Sequence, residues 1–326
     1  MTTAAQKILA VIPCLNEEPH LEKLVRGLAA STLPLRIVIA DGGSTDRSPE
    51  IGKNFANKFS NVVFLENPKR LQSSAVNLAV SNYGQDCVFL IRIDAHGDYP
   101  DDYCHILIEE AETTQADSVV VRMSAVGKKG FQRAVAAAQN SKLGNGGSAH
   151  RCKGNGGKWV DHGHHALMRL EAFRAVGGYD KSFSHNEDAE LDTRLRRAGY
   201  KIWLSGKTAF TYYPRSSPFG LFRQYIGYGY GRARNIIKNR TLPKRRQLAP
   251  AVVAPICFLA LATPLFWTAA LPFTVWAGFC CCYGLWLGIK KRNFWTVAAG
   301  PAAMLMHLGW SLGFWRGILA TSRSRS

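Results

Sequence analysis

Through the first 213 residues, short apolar runs alternate with polar segments of helical periodicity. Lys7–Pro13 has the length and apolar content of a buried strand. Asn16 then precedes Glu17 and Glu18, and Leu21, Leu24, Val25 and Leu28 follow at helical spacing, which predicts a helix capped by Asn16 with acids in its first turn. Leu35–Ala40, Val62–Leu65, Val88–Ile93 and Ser118–Met123 repeat the strand pattern. Helices are predicted from Thr45 or Asp46, near Ser73–Ser81, and from Pro100 through Glu112. This rhythm predicts an α/β fold with a mostly parallel, helix-covered, Rossmann-like sheet.

The C-terminal third changes character. From Leu248 to Ile289, 42 consecutive residues carry no formal charge. A bilayer crossing takes about 20 apolar residues, so the run predicts two crossings, with Pro264 and Pro272 helping to turn the chain between them. Lys290, Lys291 and Arg292 interrupt, and Asn293–Trp315 is a third uncharged stretch of spanning length. Between sheet and spans, residues 214–247 mix Phe219, Phe222, Tyr225, Tyr228 and Tyr230 with Arg223, Arg232, Arg234 and Lys238, a mixture suited to the lipid headgroup layer. The expected organisation is therefore an α/β sheet domain over 1–213, a basic aromatic interface segment over 214–247, and a transmembrane region over 248–322 with two to three apolar helices.

Hydrophobic residues at 47% and charged residues at 20% exclude global disorder. The net charge of +18 hides an asymmetry: all 23 acids lie at or before Asp192, and the 20 basic residues beyond it meet none. Such a half faces phosphate, in nucleic acid or in anionic lipid, and the attached apolar runs select lipid over nucleic acid. No signal-peptide pattern opens the chain, so the first 247 residues are expected in the cytoplasm, in agreement with Lys244–Arg246 before the first span. Lys290–Arg292 also favours the cytoplasm and fits a hairpin. Arg316, Arg323 and Arg325 favour it too, so either the last segment re-enters near Pro301 or the terminal charges are overruled. Eight cysteines without a C-x-x-C pair suggest neither a zinc site nor a disulfide framework.

Ligands of open parallel sheets bind beyond the carboxyl ends of the strands. Asn16-Glu17, Asp41-Gly42-Gly43-Ser44 and Asp94-Ala95-His96 all fall there. Each alone is an ordinary turn; together they form a constellation. The chain has no Walker A sequence and no G-x-G-x-x-G after a strand, which disfavours an NTPase or a dinucleotide oxidoreductase. Asp94 with His96 offers oxygen and imidazole ligands for Mg²⁺ or Mn²⁺ holding a diphosphate, or simply a polar turn. Asn186 through Gly199 reads as a well-built helix, with acids first and arginines last, and a carboxylate at its start could also serve as a general base. His162, His164 and His165 suit metal binding or sugar orientation, and equally suit packing and hydrogen bonding. The glycine-rich patch Gly144–Lys158 is either a mobile loop or one that contacts phosphate or acceptor.

Four motifs in order resemble glycosyltransferase family 2: Val11-Ile12-Pro13-Cys14-Leu15-Asn16-Glu17-Glu18, Ala40-Asp41-Gly42-Gly43-Ser44-Thr45-Asp46, Arg92-Ile93-Asp94-Ala95-His96, and Gly177-Gly178-Tyr179-Asp180 followed by Glu187-Asp188. The resemblance covers residues 7–200 and implies a GT-A fold that binds a nucleotide-diphospho-sugar, commonly UDP-linked. It implies donor-side roles for Pro13, Asn16, Glu17, Asp41, Gly43, Ser44, Arg70, Asp94 and Ala95, with Pro13, Glu17 and Asp41 holding uridine. Asp94, with His96, would hold Mg²⁺ or Mn²⁺ at the diphosphate. Asp188 would be the catalytic base of one inverting displacement, and His164, Glu187, Arg232 and Arg234 would touch acceptor or diphosphate. The resemblance further implies a glucosyl donor, a polyprenyl-diphosphate-linked saccharide acceptor, a β-linked product in exopolysaccharide synthesis, and a bacterial inner membrane location with the catalytic domain facing the cytoplasm.

Two departures qualify this. His96 stands where the family's D-x-D has its second acid, and Gln224 is followed by Tyr225, Ile226, Gly227 and Tyr228 where processive synthases carry Q-x-x-R-W, so one sugar per encounter is expected. The rival readings are a polyprenyl-phosphate glycosyltransferase and a non-catalytic sugar-nucleotide-binding subunit of an assembly complex.

Overall fold

The computed structural model describes residues 7–148, 151 and 156–323. Much of the glycine-rich patch, at 149–150 and 152–155, lies outside the described residues. The chain divides into two compact units, one of Met1–Met123 with Gly154–Phe210 and one of Ser124–Lys153 with Thr211–Ser326. Residues 124–153 thus group with the C-terminal part, where a single cut near residue 213 would have left them with the sheet.

Strands and helices alternate as the pattern predicts: β1 (Lys7–Cys14), α1 (Glu18–Ala29), β2 (Leu35–Asp41), α2 (Ser48–Lys58), β3 (Val62–Glu66), α3 (Gln72–Tyr83), β4 (Cys87–Arg92), α4 (Tyr103–Thr114) and β5 (Ser118–Ala125). There follow α5 (Gly130–Gln139), α6 (Lys142–Asn145), β6 (Lys158–Trp159), β7 (His164–Arg169), α7 (Leu170–Ala175), α8 (Glu187–Arg197) and β8 (Ile202–Tyr212). The strands form one sheet in the order β3-β2-β1-β4-β7-β5-β8-β6. Neighbours from β3 to β4 run parallel, whereas β7 runs antiparallel to β4 and β5. Pairing of Cys14 with Asp41 and of Val11 with Arg92 brings the carboxyl ends of β1, β2 and β4 to one edge, where the polar motifs begin. Beneath that edge Leu9, Val11, Val38 and Leu90 pack with Val76 of α3 and with Leu191 and Leu195 of α8. The core thereby sets α8 against the strand ends. Asn16 caps no helix; in a left-handed conformation (φ 57°), its Oδ1 accepts the Thr45 N–H, and Glu17 precedes α1.

The second unit contains α9 (Pro218–Lys238), α10 (Arg245–Ala251), α11 (Val253–Ala260), α12 (Leu271–Lys291), α13 (Phe294–Val297) and α14 (Ala299–Arg323). Two stretches, Trp267–Lys291 and Phe294–Ala320, are long and apolar enough to cross a membrane. The uncharged run 248–289 holds one such helix, not the two expected. Its leading arm is two short helices, because Pro250 lies inside α10 and Pro255 in the first turn of α11, and each lacks the N–H that a continuous helix needs. Pro301 sits in the first turn of α14, where a proline is harmless, and that helix runs on without a re-entrant turn.

Candidate active site

The first turn past β2 is built by its own acid. Asp41 Oδ2 accepts the Gly43 and Ser44 N–H groups at 2.9 and 3.1 Å, and Oδ1 accepts the Ser44 hydroxyl at 2.6 Å. Ser44 Oγ in turn accepts the Asn16 N–H at 2.8 Å, which ties the ends of β1 and β2 together. Gly43 has φ +78°, a conformation that side chains disfavour, and the Arg70 guanidinium lies 3.3 Å from where its Cβ would stand. Asp41, Asn16, Gly43 and Ser44 thus shape a turn, and the cleft beside it is walled by Pro13, Glu17, Arg70, Asp94, Ala95 and His96. Asn67, also in that wall, is almost fully buried, and its Oδ1 has no hydrogen-bond partner among the described residues.

Asp94 is held from three sides. Its backbone N–H donates to the Tyr99 hydroxyl at 2.8 Å, its Oδ1 accepts Gln72 Nε2 at 2.7 Å, and its Oδ2 lies 3.4 Å from His164 Nε2. Tyr99 stacks on Phe210, and Phe210 packs against His164, so the loop and the imidazole share one aromatic wall. His96 turns the other way, with Nδ1 3.1 Å from Glu17 Oε1. Carboxylates and an imidazole on one cleft are a donor set that suits a divalent ion. Among the described residues no three such groups are already gathered, so an ion here would complete its shell with ligand oxygens.

Asp188, at the start of α8, meets a cation that the sequence reading left without a role. Arg92, at the end of β4 and 3% exposed, donates from both terminal nitrogens to the two Asp188 oxygens, at 2.5 and 3.1 Å. The same guanidinium lies 3.6 Å from Asp94 and donates to the Tyr179 hydroxyl at 3.1 Å. It therefore links Asp94 to Asp188, the expected base. Burial opposes ionisation of Asp188, but the Arg92 charge, then His165 and His164, hold its carboxyl well below the usual range. Burial and then the Asp188 charge push the Glu187 carboxyl upward.

Tyr179 reaches this cluster because its backbone is pinned. Its N–H donates to Asn77 Oδ1 at 2.9 Å, its carbonyl accepts Asn77 Nδ2 at 2.7 Å, and Gly178 (φ +69°) passes where a Cβ would strike that amide. This is the structural content of the Gly-Gly-Tyr-Asp motif. Of the predicted residues, Pro13, Glu17, Arg70, Asp94, Ala95 and His96 line one cleft, and His164, Glu187 and Asp188 belong to the cluster beside Arg92. Arg232 and Arg234 lie on α9 of the second unit, half-buried on either side of Ala233. Arg92 and Tyr179 stand in the quoted motifs without a role, and Gln72 and Tyr99 were missed; a cation inside the apolar run Cys87–Ile93 was itself a signal, since a buried arginine demands a carboxylate partner.

Comparison with known proteins agrees with this geometry. The model of glycosyl transferase family 2 matches residues 9–177, and that of glycosyl transferase family group 2 matches residues 130–289. The chain is 58% identical over 313 residues to the succinoglycan biosynthesis protein ExoA of Rhizobium meliloti (strain 1021), covering 95% of this chain and 94% of that one. It is 26% identical over 238 residues to the dolichyl N-acetyl-alpha-D-glucosaminyl phosphate 3-beta-D-2,3-diacetamido-2,3-dideoxy-beta-D-glucuronosyltransferase of Methanococcus voltae, covering 68% and 71%. Among solved structures, the mannosyltransferase PcManGT of Pyrobaculum calidifontis, in complex with GDP-Man and Mn²⁺, superposes with a TM-score of 0.57 at 17% identity, covering 95% of this chain and 88% of that one. With strand ends, cleft and motif carboxylates arranged as that fold requires, the chain belongs to glycosyl transferase family 2 and is a glycosyltransferase of GT-A fold.

Proposed function

We propose that this chain is a membrane-anchored, inverting glycosyltransferase that moves one sugar, glucose from UDP-glucose, onto a polyprenyl-diphosphate-linked saccharide in exopolysaccharide synthesis, forming a β-linkage of β-1,3 type. Likeness to a succinoglycan biosynthesis protein supports the pathway class, and likeness to a transferase named for a dolichyl-phosphate-linked acceptor supports the lipid-linked substrate. The observation that carries the reading is Asp188 at the mouth of α8, fixed by Arg92 beside Asp94.

The donor would lie along the cleft from Pro13 to Arg70. Asp94 and His96 would hold Mg²⁺ or Mn²⁺, which supplies positive charge to a leaving diphosphate. Arg92 keeps Asp188 ionised and aimed, so that its carboxylate takes the proton of the acceptor hydroxyl as the new C–O bond forms. The hydroxyl becomes a strong acid only as that bond forms, so a firmly ionised carboxylate can still receive its proton. A second reading gives the base role to Glu187, favoured by its raised proton affinity while both Asp188 oxygens are engaged.

The test is nucleoside diphosphate release by the detergent-purified chain, offered a panel of UDP-sugars, Mn²⁺ and a lipid-linked acceptor extract. Release with UDP-glucose that depends on acceptor, and falls about 10²–10⁴-fold in Asp188→Asn with donor affinity kept, is the expected result. Full turnover by Asp188→Asn, with that loss appearing in Glu187→Gln, would transfer the role to Glu187. Donor binding without release by any form, beside an acceptor shown to be active, would leave a binding subunit.

A further inference from the structure

Behind Asp188 lies a row of buried ionisable groups that proton removal from the acceptor does not itself use. Tyr179 donates its hydroxyl proton to Asp188 Oδ1 at 3.3 Å. Its oxygen lies 2.7 Å from His165 Nδ1, and that nitrogen is also 3.4 Å from Asp188 Oδ1. On the far side of the ring, His165 Nε2 is 2.7 Å from Asp192 Oδ1. Asp192 Oδ2 completes the row 2.8 Å from His162 Nδ1, and it also accepts the Gly163 N–H. His165 is 0% exposed and Asp192 1%.

Carboxylates bracket the ring. Nε2 faces Asp192 Oδ1 at 2.7 Å, and Nδ1 lies 3.4 Å from Asp188 Oδ1 as well as against the Tyr179 oxygen, which accepts from Arg92. A neutral imidazole has only one N–H, so a ring that donates on both sides is an imidazolium.

We propose that His165 is a buried imidazolium and the positioning residue that, through Tyr179, holds the Asp188 carboxylate in line for the acceptor hydroxyl, so that loss of its charge lowers turnover at high pH. The proposal rests on the reading of Asp188 as base. The groups facing His165 are Arg92 from β4, Tyr179 from the loop after α7, and Asp188 and Asp192 from α8. Burial lowers the proton affinity of the ring, and the charges of Asp192 and then Asp188 more than restore it, Arg92 opposing, so the net shift is upward. The direction of the pH effect follows. Below the raised value both ring nitrogens donate; above it one contact, to Tyr179 or to Asp192, loses its proton.

Two measurements on the full-length chain in detergent test this. The first is ¹⁵N NMR of histidine-labelled protein: His165 is expected with both nitrogens protonated at pH values where an ordinary histidine is neutral. A ring with one protonated nitrogen at neutral pH would overturn the proposal. The second is the pH profile of UDP release from UDP-glucose with the acceptor extract. Asp192→Asn is expected to move the upper limb of kcat down by about one unit or more, with KM for the donor changed by less than about two-fold. His165→Gln is expected to lose most of kcat at every pH and to show no upper limb. A folded Asp192→Asn protein with an unmoved limb would also overturn the proposal. The NMR result needs no substitution and no turnover, so it remains decisive if a variant fails to fold. Undiminished turnover in Asp188→Asn would remove the base reading while leaving the protonation state of His165 separately measured.

Discussion

Arg92 joins several of the clustered side chains, touching Asp188, Asp94 and Tyr179. It is a buried cation at the end of an apolar strand, gripping Asp188 and bordering Asp94. Arg92→Met would leave two carboxylates in a low-dielectric site with no permanent cation, and removal of one partner from such a cluster costs about 3–5 kcal/mol. Thermal unfolding in detergent should show that loss. Arg92→Lys, which keeps the charge and loses the fork, should recover part of the stability and less of the activity. The acid side gives a further sign. Asp188 is depressed in the folded protein, so its contribution is present above the unfolded carboxyl value and fades as pH falls. Without Arg92 that contribution shrinks, and the acid-unfolding midpoint of Arg92→Met should lie at higher pH than that of the unsubstituted chain. At this scale the sequence marked candidate residues by motif without showing what they touch. Asp41, Asp94 and Asp188 stood out by motif. That Asp41 closes its own turn, and that His96 faces Glu17, depends on loop conformations that spacing does not encode.

At the scale of elements, legibility followed the strength of the period. Strands β1, β2 and β4 and helix α8 emerged within a residue or two of their predicted bounds, because burial on both faces or a regular apolar stripe left one solution. Helix α9 was read only as an aromatic, basic interface segment. Its glycines at 220, 227, 229 and 231 weaken any intrinsic helix signal, and the reason for Gly229 is tertiary. A Cβ at Gly229 would strike the Trp310 carbonyl of α14, Cβ atoms at Gly309 and Gly313 would strike the backbone of α9 at Phe222 and Ile226, and one at Gly317 would strike the Ala233 side chain. The two helices are in backbone contact along a small-residue stripe. Gly313→Ala should therefore force them apart and destabilise the protein by about 1–3 kcal/mol. Gly278→Ala in α12, with nothing within 4 Å of the added carbon, should be neutral or stabilising by up to about 1 kcal/mol. Melting curves of the two variants in one detergent provide the comparison.

Across the whole molecule, the acid-free half and the apolar helices ask where lipid would lie on the second unit. The two long helices are not equivalent. Within α12, Val275, Phe279, Trp286 and Ile289 are exposed, and only 17% of its apolar window is buried. Half of the corresponding window of α14 is buried, against α9 on one stretch and against α5 on another, where Ala134 and Ala138 meet Ala302 and Met306. Helix α9 also carries Arg223, Arg232, Arg234 and Lys238, which a bilayer interior would exclude and a headgroup layer would accept. Under the membrane reading, α12 is thus the helix whose surface calls for hydrocarbon, and α14 is first a packing element. Substitution separates these roles. Phe279→Lys places a charge on the exposed face of α12, where a central lysine costs about 2.5–3.5 kcal/mol of insertion. It should shift the chain toward the alkaline-extractable fraction of membranes while leaving melting in detergent nearly unchanged. Ala303→Lys, at a fully buried position of α14, should do the reverse and lower the melting temperature sharply in any medium. If Phe279→Lys stays in the membrane as firmly as the unsubstituted chain, the anchor lies instead with the exposed apolar residues from Phe258 to Trp267, ahead of α12.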